Sequence, residues 1–284
     1  MEASAKEKIR SAVRESYGNV ARSGGMQLNA SARGACCGTG SPPATDQGAC
    51  GCGGTDIGPE QISALLGYSQ KDLDTAPEGA NLGLGCGNPQ AIAALQIGET
   101  VVDLGSGGGF DCFLAARAVG HTGRVIGVDM TADMISRARL NKEKVAAENV
   151  EFRLGEIEHL PVADNRADLI MSNCVINLSP EKQKVYDDAF RVLKPGGRLS
   201  ISDIVALKPL PDEIKKDLDL VSACVGGAAT IADTENMLKQ AGFEHIQISP
   251  VKVSQALIDE WLPGSKVGEY VASASIAAKK PLNN

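Results

Sequence analysis

The sequence predicts a doubly wound, mostly parallel α/β sheet of seven strands, and three observations carry that expectation. β-branched runs alternate regularly with helical patterns from 101 to 203. Val101-Val102-Asp103-Leu104 runs straight into the glycine-rich turn Gly105-Ser106-Gly107-Gly108-Gly109 and then into the helical composition of 110–117, giving strand, tight loop and helix in order. Asp129 closes the next strand about twenty residues later, at the edge where open sheets of this kind bind their ligands.

Ile9, Val13, Tyr17 and Val20 recur at helical spacing between charged residues, so 5–22 reads as an amphipathic helix ending before Gly24-Gly25. Two readings are open for it: a helix packed on the main sheet, or, through Tyr17, part of a lid over a bound ligand. From 24 to 58 the composition shifts to Gly, Ser, Ala and Cys, a loop with two close thiol pairs, Cys36-Cys37 and Cys50-Gly51-Cys52. That spacing is not the zinc-ribbon one and no histidine stands near, so thiol exchange is favoured over structural zinc. Residues 60–68 read as a short helix and 81–89 as a glycine-rich loop, with Asn88 capping and Pro89 starting a helix to 95. Cys86 sits in that loop between glycines and outside any apolar run, so a chemically engaged thiol is expected there in place of a buried structural one.

The alternation continues as strand 101–104, helix 109–119, strand 124–129, helix 132–147, strands 150–153 and 167–172, helix 180–193 and strand 198–203, entered through Lys194-Pro195-Gly196-Gly197. Cys112, beside Phe113 and Leu114, reads as packing. An insertion over 206–229 contains Cys224-Val225-Gly226-Gly227, where a cysteine before paired glycines is a poor choice for a core helix. Helix 230–240 and strands near 245–253 and 269–279 close the chain, the last two expected as an antiparallel edge pair. The chain therefore divides into a helical, Cys-rich N-terminal cap at 1–70 and one sheet domain at 71–284, with 206–229 lying over the site as a lid.

Composition excludes several classes. The 284 residues carry 28 basic and 35 acidic side chains, net −7, with 4% aromatics, so neither a polyanion-binding surface nor base-stacking platforms are expected, and nucleic acid is excluded as a partner. The first ten residues are charged and lack the apolar core of a signal peptide, and the uncharged stretch 79–98 is too polar to span a membrane. A cytoplasmic monomer with eight cysteines resting as thiols is the expectation.

The glycine loop misses the dinucleotide spacing, because Phe110 stands where the last glycine of G-x-G-x-x-G belongs. Asp103 and Asp111 bracket the loop with negative charge, which repels a pyrophosphate and suits a ligand bearing an ammonium and a sulfonium. That ligand is S-adenosylmethionine. Asp103, Gly105, Ser106 and Gly107 then form its loop, and Asp129, with Met130 beside it, accepts the ribose hydroxyls. Ile157 and Glu158 hold the adenine edge, Asn173 lies beside the reacting methyl group, and Tyr17 covers the cofactor.

Only three histidines are present, His121, His159 and His245, and none shows ligand spacing. No catalytic base, metal motif or triad stands out either. Three cysteines remain, Cys86, Cys174 and Cys224, on separate loops at one rim of the sheet. Soft thiolates bind thiophilic centres, and a trivalent metalloid held by three sulfurs keeps a lone pair able to attack a sulfonium methyl. Trivalent arsenic fits. The segments 81–89 (NLGLGCGNP), 104–112 (LGSGGGFDC), 172–178 (SNCVINL) and 224–228 (CVGGA) together resemble the prokaryotic arsenite S-adenosylmethionine methyltransferases, over most of 14–245. The resemblance implies a class I methyltransferase fold, arsenic bound at Cys86, Cys174 and Cys224, the cofactor on the glycine loop, and an upstream cysteine in thiol chemistry, for which Cys36, Cys37, Cys50 and Cys52 are candidates.

The implied reaction starts with arsenite, or its thiol adduct, exchanging onto protein cysteines with loss of the thiol protons. After methylation, two electrons return arsenic to the trivalent state, supplied by a pair of enzyme thiols closing a disulfide that thioredoxin or glutathione reopens. The alternatives are a class I methyltransferase acting on another small molecule, and a non-catalytic thiol protein that sequesters a metalloid or zinc.

Overall fold

The computed structural model describes residues 2–25, 58–251 and 267–282, so Cys36, Cys37, Cys50 and Cys52 lie outside the described residues. Seven strands, β1 (Thr100–Leu104), β2 (Arg124–Asp129), β3 (Val150–Leu154), β4 (Ala167–Asn173), β5 (Leu193–Ala206), β6 (Glu244–Pro250) and β7 (Val271–Lys279), form one sheet in the order β3-β2-β1-β4-β5-β7-β6. β1 to β5 pair in parallel, while β7 runs antiparallel between β5 and β6. The strand order reverses between β1 and β4, and that reversal opens the crevice in which such sheets bind ligands.

Both faces of the sheet are buried, which is why β1 reads as a continuous apolar run. Val101 joins a cluster with Cys112, Phe113 and Ala116 of α5 (Phe110–Val119) and Ile135 and Ala138 of α6 (Ala132–Val145). Val102, pointing the other way, packs with Val185, Tyr186 and Ala189 of α7 (Lys182–Val192) and Leu238 of α10 (Ile231–Ala241). Alternation of side-chain direction along a strand produces this two-sided core.

Several elements differ from their expected bounds. α1 spans Glu2–Ser23 and α2 spans Pro59–Leu65, and α3 (Gln70–Thr75) was not anticipated. Its start was legible: Ser69 and Asp72 form a reciprocal capping box, with Asp72 N–H donating to Ser69 Oγ at 3.2 Å and Ser69 N–H to Asp72 Oδ2 at 2.9 Å. α4 (Gln90–Ala93) stops short of 95, because Ala94 takes the left-handed conformation at φ +47°. Asn88 still caps it, accepting from Gln90 N–H at 3.1 Å.

β5 begins at Leu193 and not at 198, with Lys194-Pro195-Gly196-Gly197 absorbed as a bulge: Ala167 pairs with Leu193 and Leu169 with Arg198. β6 and β7 pair antiparallel at one edge of the sheet, as expected, with β6 outermost. The insertion forms two short helices, α8 (Asp212–Lys216) and α9 (Leu218–Ser222). Among the described residues, no helix is long and apolar enough to cross a membrane.

Candidate active site

A cavity opens at the carboxyl ends of β1, β2 and β4, the place where open parallel sheets bind small molecules. Its walls bring together Tyr17, Asp103, Gly105, Ser106, Gly107, Asp129, Met130, Ile157, Glu158 and Asn173, every residue that the sequence assigns to the cofactor.

The glycine loop is clamped to β2 by Gly105 and Ser106, whose N–H groups both donate to Val128 O, at 2.7 and 3.0 Å. Gly105 has φ +69°, and a Cβ there would stand 2.3 Å from Val175, so only glycine lets the loop lie against the segment after β4. Asp129 Oδ2 accepts from Gly107 N–H at 2.9 Å and Oδ1 from Thr131 N–H at 2.8 Å, which fixes its carboxylate at the cavity wall. Thr131 occupies the N-cap position of α6, yet its side chain makes no capping hydrogen bond to that helix.

Two features show that the residues fit S-adenosylmethionine. Ser106 Oγ is buried at the cavity wall without a hydrogen-bond partner among the described residues. Asp103 and Asp111 form a buried acidic pair. Burial and then the charge of Asp111 raise the Asp103 pKa well above the carboxylate range, and burial raises that of Asp111. The pair is held by neutral donors: Tyr68 Oη to Asp111 Oδ1 at 2.7 Å, Gln90 Nε2 to the same oxygen at 3.1 Å, and Cys112 Sγ to Asp103 Oδ2 at 3.2 Å. Among the described residues no Lys, Arg or His pairs with either carboxylate, and the methionine moiety of the cofactor carries a cation. Cys112 is thus packed, as expected, and also donates.

On the far side, Ile157 and Glu158 line the cavity, and Glu158 Oε1 already accepts from Ser179 Oγ at 2.6 Å and Arg10 Nη2 at 3.3 Å. Arg10 also pairs with Glu181 at 2.9 Å, Lys6 with Glu181 at 3.1 Å and Arg14 with Glu156 at 2.9 Å. α1 is thereby strapped over the strand ends: it packs on α6 and α9, and Arg10, Val13 and Tyr17 line the cavity.

Asp129→Ala is expected to weaken S-adenosylmethionine by roughly 1.5–3 kcal/mol, about ten- to a hundredfold, because a charge-assisted hydrogen-bonding partner is lost. Calorimetric titration checks this, and unchanged affinity would remove Asp129 from the cofactor site.

Cys86, Cys174 and Cys224 are 3%, 7% and 2% exposed and share one apolar cluster with Val13, Leu178, Ile204, Val225 and Val271. Cys86 is thus buried although it stands in a loop between glycines and outside any apolar run. Its flanking glycines serve close approach: a Cβ on Gly85 would stand 2.8 Å from the Asn173 amide, and one on Gly87 would stand 2.9 Å from Ser202 Oγ. Cys86 N–H donates to Asn173 Oδ1 at 3.0 Å, and Ser273 Oγ donates to Cys86 O at 2.6 Å, so the loop is bound under the strand ends.

Cys174 and Cys224 both adopt left-handed backbone, at φ +59° and +64°. For a non-glycine residue this conformation costs on the order of 1–3 kcal/mol and clusters at functional sites. The paired glycines after Cys224 also have a steric reason. A Cβ on Gly226 would lie 2.8 Å from Ile214 O, and one on Gly227 only 2.0 Å from Asn177 O, so the two thiol loops touch backbone to backbone. Cys224 Sγ donates to Cys174 O at 2.6 Å. Tyr17 Oη donates to Ser222 O at 3.3 Å and stands 3.9 Å from Cys224 Sγ, joining the cavity wall to the thiols.

Burial pushes the Cys86 thiol up to about 11. The contact with Cys174 and burial raise Cys224 well above the usual thiol range. At Cys174 a hydrogen bond from Cys224 pulls the pKa down, but the contact with Cys86 and burial outweigh it. All three are protonated at neutral pH.

Sequence reasoning missed two residues here. Tyr68 bridges Asp111 and Asn173, its oxygen accepting from Asn173 Nδ2 at 3.1 Å. Asp203, at the carboxyl end of the β5–β4 pairing, accepts from Ile176 N–H at 2.9 Å, Asn177 Nδ2 at 2.9 Å and Ile204 N–H at 2.7 Å, fixing the turn that follows Cys174. Burial lifts its pKa to about 6. Its signal was its place as the last residue of the expected strand 198–203, which the structure extends to Ala206.

A family model described as a methyltransferase domain matches residues 95–242. An arsenite methyltransferase of Halobacterium salinarum is 51% identical over 276 residues, covering 97% of this chain and 67% of that protein. One from Aquipseudomonas alcaligenes is 42% identical over 188 residues, 63% of this chain and 54% of its own length. The chain therefore spans about two thirds of the first relative and about half of the second. The crystal structure of an arsenic(III) S-adenosylmethionine methyltransferase from Chlamydomonas reinhardtii matches with a TM-score of 0.58 at 31% identity, over 78% of this chain and 73% of that one. A relative 51% identical along 97% of this chain, together with the class I methyltransferase sheet, shows that the chain belongs to the arsenite methyltransferase family.

Proposed function

We propose that the chain methylates trivalent arsenic held by Cys86, Cys174 and Cys224, with S-adenosylmethionine in the glycine-loop cavity. One observation carries the reading: Cys174 lies in the wall of that cavity and, at the same time, in the buried thiol cluster. An acceptor bound there is next to the donor.

The protein's part begins with positioning. Asp103 and Asp111 offer buried negative charge to the methionine ammonium, Asp129 its carboxylate to the ribose, and Ile157 an apolar face to the adenine. When bound, the cofactor supplies an electrophilic methyl group on a sulfonium. The thiols are protonated before arsenic arrives, and the balance favours neutral arsenite: As(OH)₃ plus three thiols gives a tris-thiolate and three waters, so each thiol proton leaves with an arsenic hydroxyl. The apolar cluster around the sulfurs excludes competing nucleophiles. Arsenic gives its lone pair to the new carbon bond and becomes formally pentavalent. Two thiols returning two electrons restore the trivalent state and close a disulfide, while one of the three arsenic-bound sulfurs leaves as a thiol with one of the two protons and the other proton goes to solvent. Thioredoxin or glutathione then reopens it, in a monomeric cytosolic protein whose thiols rest reduced. The relay draws on Cys36, Cys37, Cys50 or Cys52.

Valence separates the three thiols. Inorganic arsenite has three bonds to satisfy, whereas monomethylated trivalent arsenic has two left for sulfur. Cys174 and Cys224, whose loops touch, form the minimal pair, with Cys86 as the third arm. Cys86→Ser is expected to lose most activity on arsenite while keeping activity on the monomethyl form, measured by arsenic speciation with each substrate. Equal activity on both would sink the three-thiol reading.

A further inference from the structure

We infer that Cys86, Cys174 and Asp203 form a site for a divalent d¹⁰ cation, Zn²⁺ or Cd²⁺, that overlaps the arsenic thiols but replaces Cys224 with a carboxylate. The two sulfurs and a carboxylate oxygen of Asp203 lie within 4.8 Å of one another, and all three side chains are buried. Among the described residues this is the group of sulfur and carboxylate ligand atoms close enough to share an ion. Tetrahedral zinc at its usual bond lengths places ligand atoms roughly 3.5–3.8 Å apart, so contraction by at most roughly 1.0–1.3 Å closes the site. Rotation about the Cα–Cβ bond of either cysteine supplies such a shift.

Asp203 is already oriented. Its three hydrogen bonds, from Ile176 N–H, Asn177 Nδ2 and Ile204 N–H, occupy three of about four acceptor positions on a carboxylate and hold the group still. The remaining position is presented without loss of side-chain freedom. A mixed set of two thiolates and one carboxylate is the chemistry of a borderline-soft divalent cation, which takes sulfur and oxygen alike. Trivalent arsenic, with its lone pair, is served by three sulfurs. Cys224 stands outside the trio, its sulfur turned to the carbonyl oxygen of Cys174. Binding of the cation displaces two thiol protons to solvent, and a water fills the fourth position.

The cation site stands on this geometry alone. Its consequence, that Zn²⁺ or Cd²⁺ and arsenite exclude one another through the shared Cys86 and Cys174, rests on the arsenic reading above. The two ligands then have separable requirements: the cation needs Asp203 and not Cys224, arsenite Cys224 and not Asp203.

The test uses the full chain with Cys36, Cys37, Cys50 and Cys52 replaced by serine, titrated with Cd²⁺ and followed by thiolate-to-cadmium charge-transfer absorption. Arsenite binding is measured in parallel by equilibrium dialysis. A single Cd²⁺ should bind. Cys224→Ser should leave Cd²⁺ affinity within about threefold while removing arsenite, and Asp203→Asn should weaken Cd²⁺ at least about tenfold. Absence of stoichiometric Cd²⁺ binding, its loss in Cys224→Ser, or its indifference to Asp203→Asn would each overturn the site. Because Asp203→Asn also disturbs the turn after Cys174, ¹¹³Cd NMR of the protein with Asp203 intact gives a second reading: a resonance in the two-sulfur range supports the site, and one in the three-sulfur range overturns it. If arsenite still binds Cys224→Ser while the cadmium results hold, the arsenic reading fails and the cation site remains.

Discussion

Replacing Gly227 with alanine is expected to lower arsenic methylation by about a hundredfold or more, the scale of misplacing reacting groups by about 1 Å. The added Cβ would stand 2.0 Å from Asn177 O, well inside van der Waals contact, and that oxygen belongs to backbone that cannot swing aside. Asn177 itself is pinned, its Nδ2 donating to Asp203 Oδ1 at 2.9 Å and to Ile204 O at 2.6 Å. The strain is relieved by moving the Cys224 loop away from the Cys174 loop, which pulls the two sulfurs apart. Gly227 is absent from the cavity wall, so S-adenosylmethionine affinity should be unchanged. Steady-state arsenic speciation beside a calorimetric cofactor titration checks both halves. Wild-type activity in Gly227→Ala would show that contact between these loops does not set the thiol geometry.

The second large effect is at Cys174. It is the one of the three thiols in the cavity wall, it shares a ligand group with Cys86, and its carbonyl receives the Cys224 sulfhydryl. It is therefore required whether arsenic takes three sulfurs or two. Serine keeps the size of the side chain and the N–H bond to Ser202 O at 2.7 Å, so the fold should survive. Cys174→Ser is expected to reduce methylation of both arsenite and its monomethyl form to the rate without enzyme, with cofactor binding retained. A methyltransferase acting on a carbon, nitrogen or oxygen acceptor would keep its activity in this variant, so full turnover of either arsenical by Cys174→Ser would contradict the account.

Much of the cofactor cavity was legible because its residues follow strand ends. Position after a strand in a parallel sheet fixes location regardless of packing detail, so Asp103, Asp129 and Asn173 fall where the pattern puts them. The thiols were legible by identity but not by environment. A cysteine between glycines reads as exposed, yet Gly85 and Gly87 are small so that the Cys86 loop can be driven under Asn173 and Ser202, a long-range contact that no local pattern encodes. The same holds for Asp203: its oxygen meets the thiols only because β5 lies beside β4. Left-handed backbone at Cys174 and Cys224 had no sequence signal, since the glycines that usually mark it stand two residues later in one case and are absent in the other.

The most direct test of the central claim follows the fate of the methyl group. Wild-type protein is incubated with arsenite, S-adenosylmethionine carrying an isotopically labelled methyl group, and a thiol reductant, and arsenic species are resolved by chromatography and mass spectrometry. The account predicts labelled methylarsenicals accumulating in step with S-adenosylhomocysteine, and neither product when arsenite is omitted. Turnover of the cofactor without label on arsenic, or arsenite bound at the thiols with no methylated product, would contradict it.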